Sequence, residues 1–195
     1  MEEIFRLQWS LNDHTLRNIG LDYGNTIKDP EGKLIWIENY RKGLSAELAE
    51  LVREVHEFGV GTQNGRIEVV DMLHFLVSLS HILEIDSQDV TPPDSPANEI
   101  PFDGFALRAF LALDDLQNSL KWKWWAKGGG FKEDKAKDAV MQLWTSFYEA
   151  CSVFGLGFPR VKEIYIAKNR VNFQRQQKDY NEDTKNEDDN RSIRA

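Results

Sequence analysis

The 195 residues contain a single cysteine, Cys151, so no disulfide can form within the chain. Stability has to come from an apolar core, and this cysteine usage fits a reducing compartment. No apolar run approaches the ~20 residues of a membrane span. The opening MEEIF lacks the basic start and apolar stretch of a signal peptide. A soluble, cytoplasmic protein with no membrane partner is expected. Positive charge is also short: 24 Lys and Arg stand against 32 Asp and Glu, a formal net charge of -8. A general nucleic-acid binder needs a basic footprint to displace counterions. That class is excluded, and an anionic ligand would have to be held locally. Missing too is the sustained two-residue alternation of a half-buried strand.

What is present is helical periodicity along almost the whole chain, which predicts an all-α fold. Helices are expected over about 2–17, 36–58, 65–85, 102–120, 133–155 and 159–180. Of six prolines, Pro92, Pro93, Pro96 and Pro101 crowd into 85–101. That stretch reads as a loop between helical halves, 1–84 and 102–180, of one domain. Gly128, Gly129 and Gly130 mark a further break. Beyond Tyr180, NEDTKNEDDNRSIRA has almost nothing apolar to offset its ordering entropy, so 181–195 reads as a disordered acidic tail. Laying DAVMQLWTSFYEACSVFGL on EVVDMLHFLVSLSHILEI sets Asp138 against Glu68 and Met141 against Asp71. The pattern therefore allows an internally duplicated four-helix core, beside a smaller mobile helical part.

The segment RIEVVDMLHFLVSLSHIL is apolar around most of its helical circumference, as a buried helix is. Glu68, Asp71, His74, Ser78 and His81 nevertheless recur at spacings of three and four and make one polar stripe. An ionised carboxylate in such surroundings must be paired, protonated or bound to a metal. The preceding segment GLSAELAELVREVHEF offers Glu47, Glu50, Glu54 and Glu57 in a second acidic stripe. Two such stripes facing each other repel unless a divalent cation lies between them. Oxygen-only donors suit Mg²⁺, with Mn²⁺ as a substitute, and such ions commonly bridge phosphates. Glu54 and Glu57 are equally well read as a solvated helix face. His74 and His81 read as hydrogen-bonded packing residues outside the site.

Tyr165, Lys168, Asn172 and Arg175 share one face of VKEIYIAKNRVNFQRQQKDY and offer chemistry for phosphates and sugar hydroxyls. Gln8 and Asn12 lie four apart beside Leu7 and Leu11, an amide pair able to read a nucleobase edge. Taken singly, each set is also what an ordinary surface helix carries.

Together these segments resemble the dimeric, all-α dUTP diphosphatase family, related to the MazG-like pyrophosphohydrolases. The resemblance runs through LQWSLN at 7–12, KLIWIENYRKGLSAELAEL at 33–51, RIEVVDMLHFLVSL at 66–79 and YIAKNRVNFQRQQKDY at 165–180. It implies a MazG-like helical bundle, a homodimer and hydrolysis of dUTP. It also implies that Glu47, Glu50, Glu68 and Asp71 hold Mg²⁺, that Gln8 and Asn12 sit at the base, and that Lys168, Asn172, Arg175 and Tyr180 meet phosphates or sugar. Within that set Glu47 is assigned to the attacking water, and Lys168 and Arg175 to the charge on the phosphates. The family's Trp-Lys-rich loop, expected after the first acidic pair, is replaced here by EVHEFGVGTQNG, and a similar string, KWKWWAKGGG, stands at 121–130. Trp122 and Lys123 are therefore expected to reach the cleft from the second half. Two rival readings stay open: a pyrophosphohydrolase of another dNTP, and a helical interaction module whose acidic stripe binds a basic partner.

Overall fold

The computed structural model describes residues 1–93, 100–177 and 193. Among them the chain forms α1 (Glu2–Asn18), α2 (Tyr23–Thr26), α3 (Pro30–Phe58), α4 (Gln63–Ile82), α5 (Phe102–Ser119), α6 (Glu133–Val153) and α7 (Phe158–Gln177), with no strand. The all-α expectation holds. The proline-rich loop is described on either side of 94–99, while Tyr180 and the expected tail, apart from Ile193, lie outside the described residues.

Two boundaries differ from the periodicity, both for reasons of capping. α3 begins at Pro30, not near 36, because the Asp29 carboxylate accepts from Gly32 N at 2.8 Å and Pro30 supplies a preset first turn. The single-turn helix α2, unexpected from the pattern, is capped in the same way by Asp22, whose side chain accepts from Asn25 N at 2.8 Å. Thr62 caps α4 by accepting from Gly65 N at 2.9 Å, which fixes where the first turn and hence Glu68 fall.

α3 and α4 form one helical hairpin and α5 and α6 a second, and the two meet through α4 on α6 and α3 on α5. α1 and α7 pack on each other and on α4. α4 is thus the central rod, with Val69, Val70, Leu73, Leu76, Val77 and Leu79 at 0 or 1% exposure. Each such side chain contributes roughly 1.5–3 kcal/mol by leaving water. Trp144 of α6 donates its Nε1–H to Ser80 Oγ at 2.9 Å, locking the two hairpins through a buried polar contact. α3 and α4 run antiparallel and close together: Gly43 faces the Phe75 ring, which occupies the space a Cβ would need.

Candidate active site

The polar stripe of α4 does not face solvent. Glu68, Asp71, His74 and Ser78 line a cleft of about 280 Å³ between α1, α3, α4 and α7. α3 adds Glu47 and Glu50, α1 adds Gln8 and Asn12, and α7 adds Lys168, Asn172 and Arg175. Most of the residues picked out by spacing therefore converge. Trp122 and Lys123 do not: they are not among the lining residues, and Trp122 instead donates its Nε1–H to Asn118 at 3.1 Å while Lys123 lies 4.9 Å from its ring. Glu54 turns toward Asn64, and Glu57 is exposed.

The cleft has two ends of different character. At one end, Glu47, Glu50 and Glu68 bring one carboxylate oxygen each within 4.8 Å of one another. Glu68 is 5% exposed and accepts from Asn64 Nδ2 at 3.1 Å. Burial first, then the charges of Asp71, Glu68 and Glu50, push the Glu47 carboxyl up to about 9, against the pull of Lys168. Asp71 is placed otherwise than expected. Its Oδ2 meets Lys168 Nζ at 2.7 Å, so it neutralises a buried ammonium and does not complete the carboxylate trio.

At the other end, Trp36, Tyr40 and Phe75 provide aromatic walls, and a buried polar network supplies hydrogen-bonding groups. Tyr165 donates to Gln8 Oε1 at 2.6 Å, Gln8 Nε2 donates to Asn12 Oδ1 at 2.8 Å, and Asn12 Nδ2 donates to Ser78 Oγ at 3.0 Å and Tyr23 OH at 3.1 Å. Such a chain holds the amides of α1 in one orientation.

A family model described as dUTPase matches residues 1–180. The chain belongs to the dUTPase family. Its activity is accordingly that of a dUTP diphosphatase, and the helical architecture agrees with the all-α form expected from the resemblance. No curated protein and no solved structure matches the chain. No helix among the described residues is long and apolar enough to cross a membrane.

For a dUTPase the acidic end has the donor set that a hard divalent cation requires. Three carboxylates converge, all oxygen donors, and the free energy that raises the Glu47 pKa is repulsion a cation removes. The aromatic end has the size and chemistry for a nucleobase. Spacing alone missed Trp36, Tyr40, Phe75 and His74, all of which line the cleft. His74 is the one with a readable signal, since it continues the Glu68 and Asp71 stripe. His81, on the same stripe, is correctly left outside: Phe5 and Trp9 each stand edge-on to it with ring centroids 5.3 Å away.

Proposed function

We propose that this cleft hydrolyses dUTP to dUMP and pyrophosphate with the help of Mg²⁺, the base lying against Trp36, Tyr40 and Phe75 and the triphosphate at the acidic end. The observation that carries the reading is the polarity of one cavity: three carboxylates within 4.8 Å at one end, aromatic rings at the other and a buried Lys168 in the lining. Glu47, Glu50 and Glu68 would hold the ion, which when bound neutralises phosphate charge and acidifies water. Asp71 acts through Lys168, fixing its ammonium in place.

The remaining steps fall to side chains. Glu47, whose raised pKa marks it as the strongest base of the trio, orients the attacking water and accepts its proton. Lys168 and Arg175, both lining the cleft from α7, offset charge on the transferring and leaving phosphates. Asn172 offers an amide to phosphate or sugar, and Gln8 faces the base. Tyr180, assigned to the same task from its register, belongs to this reading without a described position. Assembly as a homodimer and a cytoplasmic location complete it, supported by the resemblance and by the lone Cys151.

The test is a panel of dNTPs assayed with and without added Mg²⁺. Mg²⁺-dependent release of dUMP with strong preference over dCTP and dTTP is expected. Equal turnover of all four common dNTPs would replace the dUTP assignment by a general pyrophosphohydrolase, and no turnover at all would end the enzymatic reading.

A further inference from the structure

His74 takes no part in the assignments above, yet its surroundings are built. Its side chain is almost fully enclosed, 6% exposed, and lines the cleft at the aromatic end. The ring stacks on Tyr165 with centroids 4.3 Å apart and planes 21° apart, which fixes its orientation. Nδ1 lies 2.8 Å from Gln8 Oε1. A carbonyl oxygen can only accept, so the ring proton sits on Nδ1.

That tautomer leaves Nε2 with a lone pair and no hydrogen. Nε2 is buried and has no hydrogen-bond partner. A buried acceptor without a donor costs about 1–3 kcal/mol, which the fold tolerates where a ligand completes the bond. Burial first, and the Lys168 charge second, hold the His74 pKa down at about 3, so the ring is neutral under physiological conditions.

Neighbouring amides show what the missing donor has to be. Gln8 Oε1 already accepts from Tyr165 and His74, and both Asn12 Nδ2 hydrogens are used by Tyr23 and Ser78. Gln8 Nε2 spends one hydrogen on Asn12 Oδ1 and keeps the second. The network therefore presents a donor, the second Gln8 N–H, close to an acceptor, His74 Nε2. Uracil offers the complement in its imide: an N3–H beside a carbonyl oxygen. Cytosine carries a lone pair at N3, which would meet the lone pair of Nε2.

Resting on the dUTP reading above, we propose that His74 is a specificity residue whose Nε2 accepts the N3–H of uracil, with Gln8 donating to the adjacent carbonyl and Asn12 acting only to orient Gln8. Specificity against cytosine then comes from one buried lone pair, and its loss is felt in the ratio of substrates more than in the phosphate chemistry.

The experiment compares kcat/KM for dUTP and dCTP in the wild type and in His74→Phe, which keeps a ring to stack on Tyr165 and removes both nitrogens. The dUTP to dCTP ratio is expected to fall at least about tenfold in the variant, while Mg²⁺-dependent inhibition by pyrophosphate, which probes the phosphate end, stays unchanged. An unchanged ratio overturns the assignment. If the variant does not fold, wild-type protein alone decides it: N3-methyl-dUTP should bind at least about tenfold more weakly than dUTP, and equal binding overturns the proposal. Failure of the underlying reading looks different, because wild-type protein would then hydrolyse no dUTP at all.

Discussion

Lys168 Nζ and Asp71 Oδ2 meet at 2.7 Å with side-chain exposures of 5% and 13%, an ion pair set inside the wall of the cleft. The pair couples α7 to α4, two helices far apart in sequence, and sets an ammonium beside three acidic groups without neutralising them. Lys168→Ala should therefore do more than weaken nucleotide binding. It strands Asp71 next to Glu47 and should lower stability by about 3–5 kcal/mol in urea unfolding. The double variant Lys168→Ala with Asp71→Ala should recover a large part of that loss. Additive losses in the two single variants would show that the pair is not a unit.

Glu47 gives a pH signature. Its folded pKa, about 9, lies above the value of about 4.5 for the unfolded chain. The sign follows from linkage: this group's contribution is fully present below pH 4.5 and is lost as pH rises toward 9. The metal-free protein should thus lose stability across that window, and Glu47→Gln should flatten the loss. Because the ion replaces the proton, Mg²⁺ binding near pH 7 should release close to one proton from Glu47. Calorimetry in buffers of different ionisation enthalpy measures it directly. Proton-neutral binding would remove Glu47 from the ligand set.

Gly43 controls the spacing between α3 and α4. A Cβ there would run into the Phe75 ring, which itself lines the cleft. Gly43→Ala should cost about 1–3 kcal/mol through overpacking and raise KM for dUTP as the ring is displaced. Unaltered unfolding midpoint and KM would mean that the ring swings aside freely.

Trp36 and Trp122 make opposite predictions. Trp36 lines the cleft, so Trp36→Ala should raise KM for dUTP by about tenfold, in line with lost base stacking, and abolish the change in tryptophan fluorescence on nucleotide binding. Trp122→Ala should leave both within about twofold, as a residue outside the lining does. The reverse pattern would bring the Trp-Lys segment back to the substrate.

The parts of the site that could be read in advance share one property: they contradict their local surroundings. Glu68 and Asp71 stand out because carboxylates do not belong in a helix as apolar as α4. Lys168, Asn172 and Arg175 fall at helical spacing on one face, which periodicity reports well. What stayed hidden depends on tertiary pairing. Nothing local says that Asp71 takes Lys168 as its partner, and Trp36, Tyr40 and Phe75 look like ordinary core aromatics on amphipathic helices. KWKWWAKGGG shows the opposite failure, since its composition suits a nucleotide while the fold sets Trp122 and Lys123 outside the cleft. The early start of α3 was available in Asp29 and Pro30, but Gly32 in the first turn masks it in a propensity reading.

The most direct test of the metal-bearing carboxylate trio is turnover of dUTP by protein stripped of divalent cations with a chelator and then resupplied with Mg²⁺, the products followed by phosphorus NMR. The account predicts no hydrolysis after stripping and, on resupply, stoichiometric dUMP and pyrophosphate. Undiminished hydrolysis in the chelator, or formation of dUDP and orthophosphate, would contradict it.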